Sequence, residues 1–235
     1  MLYSCAYITL IVMYLHIMQT LTEAIFKLAP PGGLFNETVL SNLFPDRSPG
    51  ARELLLDRAI RAGEVLRLKR GLFVLAPEYR KSEPPLFAVA PILYAPSHIS
   101  LETALAYHGL IPEAVFQVAS VTPKRSRRFE TPLGVFTYQS VPCIPAMAGI
   151  ECVKLEHDFW AFVATPLRAI ADLLYLNRTI SWRNDGPAFL LESLRIEEED
   201  LHAISFARYR EISQAFRNRR VKDYLQHLQQ EFGHD

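Results

Sequence analysis

Most of the residue patterns that mark catalysis are missing from this sequence of 235 residues. It contains no glycine-rich phosphate loop, no nucleophile elbow and no helical pair of histidines with a glutamate between them. Its three cysteines, Cys5, Cys143 and Cys152, are odd in number and lack the tight spacing of a metal site. We therefore expect no enzymatic activity, no metal and no cofactor, and we interpret the cysteines as structural thiols of a cytoplasmic protein.

The chain also lacks a net charge of either sign, because its 25 basic residues balance its 25 acidic ones. The field of the whole molecule therefore gives no reason to expect nucleic acid, and any such site must be a local basic patch. Half of the residues are hydrophobic and 21% are charged, which is typical of a globular protein with a sizeable core. The length favours two small domains over one.

The first 22 residues contain no Asp, Glu, Lys or Arg. A signal peptide is disfavoured because there is no basic start and no small-residue cleavage site. A membrane anchor is also conceivable, although the apolar run is barely long enough to span a bilayer and His16 and Gln19 interrupt its end. A third interpretation is that translation starts at Met18. We treat residues 1–17 as an apolar extension, either a mis-assigned start or an anchor.

Residues 18–83 have the pattern of a small helical domain that ends in a hairpin. Apolar residues at helical spacing predict helices over about 21–28, 36–43 and 49–62, with Ser48 and Pro49 as a start signal for the third. In the third helix the predicted core positions are Leu55, Leu56, Ala59 and Ala62, and the predicted solvent face consists of Leu54, Asp57, Arg58 and Arg61. Two short apolar runs around Lys69-Arg70-Gly71 then predict a hairpin. Three helices followed by a hairpin is the order of a winged helix-turn-helix, in which the third helix enters the DNA major groove.

The proposed DNA-binding residues come from a locally basic stretch. Between Gly50 and Lys81 there are eight basic residues and four acidic ones. The third helix and the hairpin turn supply the candidates: Arg52, Arg58, Arg61, Arg67, Lys69 and Arg70. Because winged helices also serve as protein-binding modules, and Glu53 and Asp57 dilute the helix face, an interaction module without a DNA role remains the alternative.

A proline-rich, charged stretch, 78–91, predicts the boundary to a second domain over residues 86–235. Ser100 can cap a helix that ends near Gly109. Hairpin-like strands are predicted over 115–121, 129–131 and 135–138, with Pro132-Leu133-Gly134 between the last two. Thr165 and Pro166 start an apolar helix in which Asp172 is read as a polar residue without catalytic role. A basic loop is either a solvated tip or a secondary contact to DNA phosphate or an acidic partner: Lys124, Arg125, Arg127 and Arg128.

Three long stretches carry a family resemblance: "SLETALAYHGLIPEAV", "SVTPKRSRRFETPLGVFTY" and "VATPLRAIADLLYL". In these, and over roughly residues 19–177, the chain resembles the AbiEi family of bacterial antitoxins and transcriptional regulators from type IV, abortive-infection toxin–antitoxin systems. Leu167-Arg168 stands where we expect the family to have an acidic-basic pair.

The resemblance implies an α+β fold, with an N-terminal winged helix-turn-helix and a larger mixed α/β antitoxin domain. The implied function is binding of the operator DNA of its own operon. The C-terminal domain would counteract a nucleotidyltransferase toxin without forming a stable complex with it. The sequence gives no prediction of the oligomeric state.

Overall fold

The computed structural model describes residues 19–112 and 117–233, which form a mixed structure of helices and strands. The expectations for residues 1–17, Cys5 among them, lie outside the described residues. The chain divides into two compact units. The first runs to Pro85 and takes in Thr131–Leu133, and the second comprises Leu86–Glu130 and Gly134–Asp235.

Over residues 19–85, the described part of the first unit contains three α-helices and a three-stranded sheet. Two 3-10 turns, Pro31–Gly33 and Pro77–Tyr79, complete it. The regular elements in chain order are α1 (Thr20–Leu28), β1 (Leu34–Asn36), α2 (Glu37–Leu43), α3 (Pro49–Arg61), β2 (Val65–Lys69) and β3 (Leu72–Leu75).

Local capping sets where α2 and α3 begin. The side chain of Asn36 accepts a hydrogen bond from the backbone N–H of Val39 at 3.1 Å, and Ser48 accepts one from Ala51 at 3.3 Å. The helix predicted over 49–62 ends at Arg61, and Ala62, which we expected in the core, is its exposed C-cap. One apolar cluster joins all six elements: Leu21, Ile25, Phe35, Leu40, Leu56, Ala59, Val65, Phe73 and Leu75.

The sheet of the first unit has the order β1-β3-β2, and both pairings are antiparallel. The predicted hairpin of β2 and β3 is confirmed, with Val65 opposite Leu75. Strand β1 was not predicted, because three residues are too few to show an alternating pattern. It adds an outer strand to β3 and leads directly into α2.

The second unit combines a six-stranded sheet with helices. Its strands are β4 (His98–Ile99), β5 (Gln117–Thr122), β6 (Arg127–Thr131), β7 (Gly134–Ser140), β8 (Ile150–Lys154) and β9 (Trp160–Ala164). Its α-helices are α4 (Leu86–Leu93), α5 (Leu101–Tyr107), α6 (Pro166–Leu176), α7 (Trp182–Asp185), α8 (Glu198–Ala203), α9 (Tyr209–Ala215) and α10 (Arg219–Phe232). A 3-10 turn (Glu156–Asp158) and a π-helical turn (Phe189–Ser193) lie between them.

The six-stranded sheet has the order β6-β7-β5-β4-β9-β8 and mixes parallel with antiparallel pairs. Strand β5 pairs parallel with β7, with Gln117 opposite Val135, and antiparallel with β4. The expected hairpin beginning with β5 is therefore wrong, and residues 115 and 116 of that prediction lie outside the described residues. The strands expected over 129–131 and 135–138 are confirmed as the neighbours β6 and β7. Parallel strands need a crossover, and here β6 occupies the chain between β5 and β7 and becomes the edge strand.

Helix α6 is the central helix of the second unit, in contact with α5, α9, α10 and β9. Its predicted start is confirmed, because Thr165 accepts a hydrogen bond from the backbone N–H of Arg168 at 3.4 Å and Pro166 occupies the first helical position. Among residues 19–112 and 117–233, no helix is both long and apolar enough to cross a bilayer.

Candidate nucleic-acid interface

The structure brings three of the predicted arginines together around one cleft of the first unit. The cleft has a volume of about 590 Å³ and lies between the first half of α3 and the β2–β3 hairpin. Arg52 lines it from α3, and Arg67 and Arg70 line it from the hairpin. Two carboxylates, Glu37 and Glu53, also line it, so the cleft is of mixed charge with a basic excess of one.

Arg52 holds the turn between α2 and α3. Its Nη1 donates to the carbonyl oxygen of Arg47 at 2.6 Å and to that of Phe44 at 3.3 Å. Phe44 is the C-cap of α2 and Arg47 lies in the turn that follows, so these bonds hold that turn against the start of α3. Arg52 was predicted as a DNA contact, whereas in the structure Nη1 of its guanidinium is already bonded within the turn before α3.

Arg67 ties the hairpin to α3. Its guanidinium lies 5.5 Å from the ring centre of Phe73, and its Nη2 is 3.8 Å from Oδ1 of Asp57 on α3. Both members of this pair are about half exposed, so the attraction is weakened by solvent. Arg67 therefore has a positioning contact while its side chain still reaches the cleft.

The turn of the hairpin consists of Arg70 and Gly71, and Lys69, also a predicted DNA contact, directly precedes it. Gly71 has a φ of +76°, which a residue with a side chain adopts only with strain. Arg70 is exposed, and the described residues include no ion pair to it. Lys69 is only partly exposed, and burial lowers the pKa of its ammonium group.

Arg58 and Arg61 lie outside the cleft, on the second half of α3. Both are exposed, three residues apart, and therefore lie on one side of the helix. Leu54, 48% exposed, is one turn before Arg58 on the same helix. The predicted solvent face of α3 is thus present, with an apolar residue next to its two arginines.

The basic loop of the second unit is mostly bound to its own surroundings. Nζ of Lys124 donates to the carbonyl oxygen of Ala95 at 2.7 Å, and Lys124 and Arg127 each lie 5.7 Å from the ring centre of Tyr94. Arg128 pairs with Glu130 at 3.1 Å. Of the four cations, only Arg125 has no such contact among the described residues. These contacts favour the solvated, self-contained loop over a second DNA contact.

The second unit contains a buried ionic network around Asp172, which was not predicted from the sequence. Asp172 accepts a hydrogen bond from Oγ of Ser100 at 2.7 Å and one from Nε of Arg168 at 3.0 Å. Nε2 of His98 lies 3.6 Å from the same carboxylate, which is beyond hydrogen-bonding distance. Arg168 also donates to the carbonyl oxygens of Ala146 and Ala148.

Opposing effects act on the carboxyl group of Asp172. Complete burial would raise its pKa, but Arg168, His98 and Ser100 together outweigh burial and hold the pKa below its ordinary value. The sequence did contain a signal for this ion pair. Arg168 and Asp172 are four positions apart in an otherwise apolar helix, and that spacing places both on one side. Ser100, expected as an N-cap, makes no capping hydrogen bond and bonds Asp172 instead.

No protein-family model matches the chain, and no curated protein matches it either. Within the part of the chain that the structure describes, no group of three or more His, Cys, Asp or Glu side chains is placed to hold a metal ion. Function is therefore inferred from the residues and their geometry.

Proposed function

We propose that the protein is an antitoxin-type transcriptional regulator whose first unit is a winged helix that binds operator DNA. The observation that carries the proposal is the arrangement of the first unit, three helices with a β1-β3-β2 sheet whose hairpin follows α3 directly. In winged helices the third helix enters the major groove and the hairpin turn reaches the DNA backbone. Arg58 and Arg61 are on that helix, and Arg70 is at that turn.

Size and chemistry support a groove-reading role for α3. Its 13 residues make a rod about 20 Å long, and a helix fits the major groove of B-DNA. Arginine reads guanine with two hydrogen bonds, to O6 and N7, which lysine cannot match in geometry. Exposed arginines on one side of the helix are therefore suited to base contacts.

The hairpin supports a separate role in holding phosphate. A cation at a turn contacts the sugar–phosphate backbone, which sets the register of the protein without reading sequence. Arg70 is exposed and the described residues include no ion pair to it, whereas Arg67 pairs with Asp57 and Lys69 is partly buried. We assign the main phosphate contact to Arg70.

The antitoxin part of the proposal is supported by the AbiEi resemblance alone. That resemblance runs through α5, the strands β5 to β7 and α6, and it includes Ser100, Arg168 and Asp172 of the buried network. It implies a nucleotidyltransferase toxin as functional counterpart, with no stable complex between the two proteins. The compartment implied is the bacterial cytoplasm.

A protein-interaction module without a DNA role is the second candidate, and the face of α3 gives it a specific observation. Leu54 is exposed there and Glu53 and Asp57 carry negative charge, a mixture that is unusual for a surface that approaches phosphate. Such a face suits a protein partner with an apolar pocket and basic residues around it.

A mobility-shift titration on the sequence upstream of the protein's own gene, with a scrambled duplex beside it, tests the DNA proposal. We expect the full chain to bind the upstream duplex more tightly, and Arg58→Ala with Arg61→Ala to remove that preference. Lys27→Ala is the matched control, because it removes one cation from α1, where Lys27 pairs with Glu23 at 2.6 Å. Equal and salt-independent binding of both duplexes by all variants would leave only the interaction module.

A further inference from the structure

Leu54 is an apolar side chain in the middle of the exposed face of α3. Among the described residues, the exposed large hydrophobic side chains of the first unit are Leu28 and Leu54. Leu54 is 48% exposed and belongs to the helix that enters the major groove under the proposed function. A single exposed leucine is ordinary on a protein surface, so the residues around it decide whether it has a role.

The neighbours of Leu54 along α3 form one exposed row. Residues three or four positions apart on a helix lie next to each other, which places Gly50, Leu54, Arg58 and Arg61 in line. All four are exposed, and the described residues include no ion pair or side-chain hydrogen bond to either arginine. Nothing lies within 4 Å of the position that a Cβ atom on Gly50 would occupy. We call this row the outer ridge.

The acidic residues of α3 lie beside the outer ridge, on the side of the hairpin. Oδ1 of Asp57 is 3.8 Å from Nη2 of Arg67, and Glu53 lines the cleft together with Arg67 and Arg70. The outer ridge therefore has two positive charges, an apolar centre and no acidic member. This combination complements DNA, whose phosphates are negative and whose major groove exposes an apolar group, the C5-methyl group of thymine.

We propose that Leu54 reads the operator by packing against the C5-methyl group of a thymine. The inference rests on the proposed function and adds to it a residue that recognises thymine, beside arginines that recognise guanine. Leu54 and Arg58 are about 6 Å apart along the helix axis, and successive base pairs are about 3.4 Å apart. The thymine therefore lies one or two base pairs from the guanine that Arg58 contacts.

Uracil interference tests this contact, because deoxyuridine differs from thymidine only by the missing methyl group. The duplex upstream of the protein's own gene is prepared with thymines replaced at random by deoxyuridine, and the DNA that the full chain binds is separated from free DNA. Cleavage at uracil then shows which positions are depleted from the bound fraction. The native chain should show such a position, and deoxyuridine there should weaken binding by about 4-fold, the effect of one buried methyl group.

Three variants test whether that position belongs to Leu54. Leu54→Ala should abolish the interference at that thymine, whereas Leu54→Met keeps a long apolar side chain and should retain it. Leu28→Ala is the matched control, because Leu28 is 50% exposed but lies on α1, and its interference pattern should equal that of the native chain. Because both leucines are exposed, all three variants should unfold at the temperature of the native chain.

The spacing along the groove is tested on the same duplex. Methylation of guanine at N7 blocks the hydrogen bond assigned to Arg58, so Arg58→Ala should lose interference at one methylated guanine. That guanine should lie within two base pairs of the thymine assigned to Leu54. A larger separation would overturn the placement of the outer ridge along the groove.

The outcomes distinguish this inference from the proposed function. Interference that persists in Leu54→Ala would overturn the role of Leu54 while DNA binding stands. The same holds if a native chain that prefers its upstream duplex shows no uracil interference. A native chain without that preference would overturn both proposals and leave Leu54 to the protein-interaction module.

Discussion

Arg168 and Asp172 form an ion pair one helical turn apart on α6, with 3.0 Å between Nε and Oδ1 and with side chains that are 1% and 0% exposed. The pair connects α6 to β4 and α5 through Ser100 and to the loop before β8 through the carbonyl oxygens of Ala146 and Ala148. Removing two charges from water is costly, and attraction repays the cost only when each charge is also hydrogen-bonded, as both are here.

The first prediction is that removal of one charge of the pair lowers the free energy of unfolding more than removal of both. Asp172→Leu should lower the free energy of unfolding by about 3–5 kcal/mol, because it leaves a buried guanidinium without its counter-charge. The double variant Arg168→Met with Asp172→Leu should be less destabilised than Asp172→Leu. The unfolding free energies are measured with denaturant for the native chain, Asp172→Leu, Arg168→Met and the double variant. Additive losses from the two single changes would show that the pair does not act as a unit.

The second prediction concerns pH. Because the pKa of Asp172 is lowered on folding from an ordinary value of 3.8, the ionised pair contributes stability at neutral pH. That contribution is complete above the unfolded pKa and is lost as the pH falls through the lower, folded pKa. The difference in unfolding free energy between the native chain and Asp172→Asn should therefore shrink from pH 7 to below about pH 4. A constant difference would contradict the assignment.

The third prediction separates sequence reading from phosphate binding. Arg70→Ala should weaken binding to operator and scrambled DNA alike and reduce the slope of log K against log salt by about one unit. Arg58→Ala should cost about 1–3 kcal/mol on the operator and less on scrambled DNA. Salt titrations of each variant on both duplexes provide the measurement, with Lys27→Ala as the control. An unchanged slope for Arg70→Ala would remove the hairpin from the interface.

The fourth prediction concerns the close packing next to the ion pair. Gly149 has a φ of +70°, and a Cβ atom there would lie 2.7 Å from Ile212 and 2.8 Å from Cβ of Arg168. Gly149→Ala should therefore lower the unfolding free energy by more than about 1 kcal/mol, from strain and overlap together. Gly50→Ala is the control, because nothing lies within 4 Å of the added atom, and it should leave stability equal or higher. Similar values for both variants would contradict the packing found around Gly149.

Helix starts were largely readable from sequence, because a cap is a contact between residues three positions apart. Ser48 and Thr165 cap α3 and α6 as predicted. The exposed face of α3, with Arg58 and Arg61, followed from the 3.6-residue period alone. The helical period could not show which groups each side chain bonds, such as the two carbonyl oxygens that accept hydrogen bonds from Arg52.

Strand pairing was decided by the tertiary structure. The same β-rich stretch could pair with its sequence neighbour or across a crossover, and an apolar, β-branched pattern is equally compatible with both. In the structure β5 lies between β4 and β7, and β6 is displaced to the edge. Strand order depends on which faces are covered by helices, and no local pattern contains that information.

The sequence by itself determined where helices begin and which side of each is apolar, since both depend on residues within one or two turns. It also determined that basic residues gather in the third helix and its following hairpin. Only the tertiary structure decided that Ser100 bonds Asp172, 72 residues away, instead of capping α5. The physical reason is competition between partners: a hydroxyl bonds the acceptor that burial brings nearest, and burial is a property of the packed chain.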